Sequence, residues 1–239
     1  MRIDKLLANT GYGSRKEVKK LLKSGAVIVN EKALKDAKEH VDPDKDLVTV
    51  HGETVEYREF IYLMMNKPQG VLSATEDKYQ ETVIDILEPE DAVFEPFPVG
   101  RLDKDTEGLL LLTNDGQLAH QLLSPKKHVP KTYFAVIDGE VNAEDVQSFK
   151  NGVTLDDGYQ TKPGELEILK SGIRSDIKLT ITEGKFHQVK RMFEAVGKQV
   201  IYLQRISMGS LLLDEELELG QYRELTDEEI GALKSYGKE

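Results

Sequence analysis

Apolar residues near the start of the chain fall at helical spacing. Ile3, Leu6 and Leu7 recur that way, and Gly11-Tyr12-Gly13 follows as a turn. Ser14 and Glu17 form a Ser-x-x-Glu capping box and Gly25 is a stop, which together predict a helix over 15–23. At 100° per residue, Val18, Leu21 and Leu22 occupy one side of that helix, while Arg15, Lys16, Lys19, Lys20 and Lys23 share an arc of about 140° on the other. An apolar strand over 26–29, a turn at 30–32 into a second short strand, and a strand over 47–50 turning at 51–53 predict a small hairpin-rich sheet. Residues 55–59 are polar and charged and read as a linker.

Beyond the linker the period changes repeatedly. Strands are predicted over 61–65, 131–137, 165–169 and 177–182, with a fully apolar one at 109–112. Helices are predicted over 117–123, 143–150, 186–196 and 227–235, two of them capped by Asn142 with Asp145 and by Thr226 with Glu229. Strands and helices that do not alternate as βαβ units favour an α+β class with a mostly antiparallel or mixed sheet. The expected division is a small α/β unit, 1–58, followed by a larger one, 59–239.

Composition narrows the class. Of 239 residues 39% are hydrophobic and 31% charged, a globular balance, and no apolar run approaches a membrane span. There is no cysteine, which excludes thiolate nucleophiles and cysteine-ligated metal, and charged residues from Arg2 onward give no sign of a leader; a cytoplasmic protein is expected. The net charge of −11 conceals an asymmetry: residues 1–38 carry ten Lys and Arg against four acids. A basic head on an acidic body points to a polyanion-facing patch.

Three stretches carry candidate chemistry. Residues 100–108 (GRLDKDTEG) form a polar, glycine-bounded loop that feeds the leucine strand, so Asp103 would be held rigidly at its mouth. A calcium reading of Asp103, Asp105, Glu107 and Gly108 fails, because four leucines follow and Asn114 stands where a bidentate Glu belongs. Lys131-Thr132-Tyr133-Phe134 places Tyr133 and Phe134 on opposite faces of a strand, one for the core and one for a surface or cleft. Residues 183–193 (EGKFHQVKRMF) end a strand and begin a helix, with Lys190 flanking its apolar face and Arg191 opposite. The five histidines show no metal spacing, and no phosphate-binding glycine loop or serine-hydrolase elbow is present.

Two resemblances follow from these residues. The pattern of residues 2–7, Ser14-Arg15 and residues 25–30 resembles the RNA-binding domain first described in ribosomal protein S-four. Gly100-Arg101-Leu102-Asp103-x-x-Thr106-x-Gly108 with the leucines and Asn114-Asp115-Gly116, Lys67-Pro68-x-Gly70-Val71, Lys131-x-Tyr133, and Gly184-Lys185-x-His187-Gln188-Val189-Lys190-Arg191-Met192 together resemble the RsuA-type pseudouridine synthases.

The first resemblance implies that Arg15, Lys16, Lys19, Lys20 and Lys23 contact RNA phosphates. The second implies a catalytic domain with a mixed, mostly antiparallel sheet and flanking helices, which isomerises uridine in RNA to pseudouridine without a cofactor. Asp103 would be the nucleophile and Tyr133 would stack on the base and help remove the C5 proton. Arg101 would take the place of the extruded nucleotide. A basic residue would pair with Asp103: Lys190 by alignment, or Arg191, which is favoured for its two-pronged fork. The acidic stretch from Leu217, with no basic tail, directs the expectation to 16S rRNA and uridine 516, the family namesake's site, with a monomer as the working unit. A 23S rRNA target and a catalytically silent rRNA-binding assembly factor stand as alternatives.

Overall fold

The computed structural model describes residues 1–43 and 45–236. Contacts divide the chain into two compact units, Met1–Ile61 with Leu87–Pro96, and Tyr62–Ile86 with the residues from Phe97 onward.

In the first unit α1 (Ile3–Asn9) and α2 (Arg15–Lys23) precede β1 (Val27–Val29), β2 (Lys32–Ala33), β3 (Val48–Val50) and β4 (Glu53–Thr54). The Ser14–Glu17 capping box closes at both ends and fixes where α2 starts. Ile3, Leu6, Leu7, Val18 and Leu22 from the helices meet Val27, Val41, Val48 and Val50 in one core beside an antiparallel sheet of order β2-β1-β3-β4. With Val18 and Leu22 facing inward, the five cations of α2 are left exposed. The short helix α3 (Pro89–Ala92) also belongs to this unit.

The second unit is built on a sheet of β5 (Tyr62–Lys67), β6 (Phe97–Pro98), β7 (Glu107–Thr113), β8 (Lys131–Asp138), β9 (Glu165–Lys170), β10 (Arg174–Ile181), β11 (Gln199–Met208), β12 (Leu211–Leu212) and β13 (Tyr222–Glu224). Its main path runs β13-β5-β7-β11-β8-β10-β9, and every pairing is antiparallel except β7 with β11. Helices α4 (Gly116–Leu123), α5 (Ala143–Asn151), α6 (Gln188–Glu194) and α7 (Asp227–Ser235) flank it. The leucine run of β7 has the continuous apolar pattern of a strand buried on both faces, and all seven of its residues are buried. Gly108 explains itself at the β7–β11 contact. Its φ is +101°, and a Cβ there would lie 2.3 Å from the Arg205 carbonyl oxygen.

Several boundaries move. The strand expected over 61–65 runs Tyr62–Lys67, and the one expected over 177–182 starts at Arg174. The helix expected over 186–196 is only Gln188–Glu194, because His187 takes a left-handed conformation (φ 48°) that no α-helix continues through. Strand β11, the longest, was not predicted from the pattern. Among the described residues no helix is long and apolar enough to cross a membrane.

Candidate active site

The loop before β7 is pinned from below by a buried lysine. Lys67 ends β5, and its Nζ donates to the carbonyls of Pro68 (2.9 Å), Asp103 (3.2 Å) and Thr106 (3.0 Å). Burial pulls this ammonium down to about 8, against Asp105, Asp103 and Glu107, which hold it up. Thr106 N–H also donates to the Asp103 carbonyl (3.0 Å), Gly70 N–H to the Lys104 carbonyl (2.8 Å), and Ser73 bonds both the N–H and the carbonyl of Leu102. With its backbone committed, Asp103 directs its carboxylate into a cavity of about 80 Å³, room for several waters, whose wall also includes Arg101, Thr106, Tyr133, His187 and Gln188.

The opposite wall comes from the turn into α6. Gln188, buried, accepts from Lys185 N–H (2.7 Å) and donates to Glu183 (2.6 Å), locking the 183–188 turn into one shape. That turn brings two basic side chains to Asp103. Lys190 Nζ lies 3.3 Å from Oδ2 and His187 Nε2 lies 3.7 Å from Oδ1. Lys190 also holds Asp105 at 2.6 Å. Burial alone would lower the Lys190 ammonium, yet the Asp105 bond and the nearby Asp103 outweigh it and hold it above the ordinary lysine value. The Asp105 carboxyl is lowered by the same bond.

Arg191, favoured from sequence as the partner of Asp103, is elsewhere. Its guanidinium binds Asp156 and Asp157, and its NH1 reaches the Phe186 carbonyl. One residue along a helix turns the side chain by about 100°, so Lys190 reaches Asp103 and Asp105 while Arg191 reaches the 156–157 loop. The acids of the rejected calcium pattern are likewise occupied: Asp105 by Lys190, and Glu107 by the Tyr202 hydroxyl at 2.6 Å. Among the described residues no group of three or more His, Asp or Glu could hold a metal ion.

Tyr133 is the buried member of its pair and lines the cavity, whereas Phe134, on the other face of β8, meets Tyr202 edge-on at 6.0 Å. Arg101 is exposed at the cavity wall. Arg15, Lys16, Lys19, Lys20 and Lys23 stand on the exposed face of α2, in the first unit.

Four residues near the site carried no sequence-based role: Lys67, Thr106, His187 and Arg205. Arg205 is 2% exposed, sits directly across from Tyr133 on β11, donates Nε to the Leu109 carbonyl (2.8 Å), and leaves NH2 without a partner. The Thr106 hydroxyl is also buried and unpartnered. The Lys67-Pro68-x-Gly70-Val71 motif was the one signal for Lys67; nothing marked Arg205.

In comparisons with known proteins, residues 61–195 match the RNA pseudouridylate synthase family and residues 1–47 match the S4 domain. The chain is 63% identical to an uncharacterized RNA pseudouridine synthase of Bacillus subtilis, over 98% of both. It is 36% identical to ribosomal small subunit pseudouridine synthase A of Escherichia coli, over 98% of this chain and all of that one. A solved pseudouridylate synthase superimposes with a TM-score of 0.69 at 36% identity, covering 98% of this chain and 99% of the other.

Proposed function

This chain belongs to the RNA pseudouridylate synthase family, and from that premise we propose that it isomerises one uridine of small-subunit ribosomal RNA, uridine 516 of 16S rRNA, in the cytoplasm. The target is supported by the small-subunit names of relatives in Vibrio cholerae and Escherichia coli, which match over nearly their full lengths.

The reaction breaks the N1–C1′ bond, turns the base, joins C5 to C1′ and moves a proton from C5 to N1. It neither oxidises nor adds a group, so its stoichiometry requires no co-substrate. A carboxylate nucleophile must be fixed, and Asp103 is: its backbone is held by Lys67 and Thr106, and its carboxylate by Lys190. It attacks the ribose C1′ and expels the base through N1, or adds to C6 of the base; either way it is bonded to one half while the base turns, and it is released once C5 has joined C1′. Tyr133, across the same cavity, stacks on the pyrimidine and assists loss of the C5 proton. Unstacking a base costs a few kcal/mol. Arg101 offsets part of that by filling the vacated place, and phosphate contacts from α2 offset more without reading sequence. In this reading residues 1–58 supply RNA affinity and 59–239 the chemistry.

The observation that carries the proposal is that Asp103, ion-paired with Lys190, lines one cavity with Tyr133. The test is a map of pseudouridine in total rRNA from cells lacking the gene, complemented with wild type or Asp103→Asn. One site that returns only with wild type is expected. An unchanged map in the deletion would leave a binding-only assembly factor instead.

A further inference from the structure

Phe186 is 73% exposed, an unusual state for a large apolar ring, and its chain neighbours Lys185 and His187 both line the cavity that holds Asp103. It is not loose. Its ring lies face to face with that of His187, with centroids 3.7 Å apart and planes 18° from parallel. The left-handed backbone of His187 creates that stack, a conformation costly for a non-glycine residue and maintained only where surroundings enforce it. The enforcement is visible: Gln188 ties Lys185 to Glu183, and Arg191, itself fastened to Asp156 and Asp157, bonds the Phe186 carbonyl.

His187 lines two cavities at once. One contains Asp103 and Tyr133; the other, about 460 Å³, is bounded by Phe186, His187, Lys190 and Arg191 and by the acids Asp156, Asp157 and Glu194. The stacked pair thus forms part of the wall of a second space adjoining the first. Rigid exposed aromatic faces beside cationic side chains are what single-stranded RNA bases stack on.

We propose that the Phe186–His187 stack is the platform for the base of the nucleotide adjoining the target uridine, so that the second cavity receives the neighbour while the first holds the reacting base. The proposal rests on the RNA-isomerase reading above. Stacking tolerates any base, so this subsite contributes affinity and position rather than sequence choice.

The test uses the full chain and a 16S rRNA transcript spanning the target uridine, with abasic residues placed singly on its 5′ and 3′ sides. Phe186→Ala is expected to raise KM about 5- to 150-fold, the loss of one base–aromatic stack, and Phe186→Trp to restore it. One abasic position is expected to raise the wild-type KM similarly, yet to change that of Phe186→Ala less than about twofold, since the partner is already gone. Phe186→Ala within twofold of wild type, or abasic penalties equal in both proteins, would overturn the platform. Asp103→Asn, run in parallel, separates the two ideas: a fully active Asp103→Asn removes the isomerase reading itself, whereas an inactive one with an unaffected Phe186→Ala removes only the platform.

Discussion

Exchange of Lys190 and Arg191 for methionine, one at a time, separates the cation that serves Asp103 from the one that serves the neighbouring loop. Lys190 Nζ is 3.3 Å from Asp103 Oδ2. At an effective dielectric of about 20 such a pair attracts by roughly 5 kcal/mol. Both groups are partly hydrated, with side-chain exposures of 19% and 27%, and the ammonium is shared with Asp105 at 2.6 Å. The net contribution is therefore that of a hydrogen bond between charged groups, about 1.5–3 kcal/mol. Lys190→Met should lower the single-turnover rate at saturating RNA about 10- to 150-fold, and Lys190→Arg should recover most of it. Arg191→Met should cost less than about fivefold, as expected for a solvent-facing ion pair. Thermal unfolding of each variant confirms that the fold is intact. The reverse order, with Arg191→Met collapsing the rate and Lys190→Met sparing it, would refute the pairing.

Gly108→Ala forces a Cβ to within 2.3 Å of the Arg205 carbonyl where β7 and β11 pair; a loss of about 3–5 kcal/mol, or roughly 6–20 °C in melting temperature, is expected, and a shift under 2 °C would contradict the close approach. Burial, with repulsion from Arg205, lowers Lys131 to about 8 from its ordinary 10.5. Between those values the unfolded chain keeps a proton the folded chain has released, so this lysine makes stability rise with pH across that window, and its penalty is full below it. The unfolding free energy from urea titrations, wild type minus Lys131→Met, should accordingly climb from pH 7.5 to 10.5, by about 1–2 kcal/mol once partial exposure is discounted; a flat difference would contradict it. Replacing Lys16, Lys19 and Lys23 together with alanine should weaken RNA binding and reduce the slope of log K against log salt by about 2–3, since each phosphate contact contributes about 0.7–0.9.

What could be read in advance was what is encoded locally. The Ser14, Asn142 and Thr226 caps lie within three residues of their partners, and α2, α5 and α7 begin where those caps place them. The leucines of β7 announced a doubly buried strand. Strand β11 escaped because two register shifts, after Val200 and after Arg205, break its alternation, and because a buried arginine in its middle imitates a surface residue. The Lys190–Arg191 choice was undecidable for a similar reason: it depends on Asp156 and Asp157, acids distant in sequence that capture the guanidinium. His187 lay in a stretch that reads as continuous helix, and only the tertiary locking by Gln188 and Glu183 explains its left-handed turn. Lys67 stood outside the strand expected over 61–65, in a motif only, and two of its carbonyl partners, Asp103 and Thr106, come from a loop more than thirty positions onward.

The most direct examination of the mechanism is tritium release from C5. A 16S rRNA transcript made with 5-tritiated uridine, incubated with the purified protein, should release the label of a single uridine per RNA, because joining C5 to C1′ expels that hydrogen. Asp103→Asn should release none while binding the same RNA. Equal release by the two proteins would show that some group other than this carboxylate carries out the exchange of bonds.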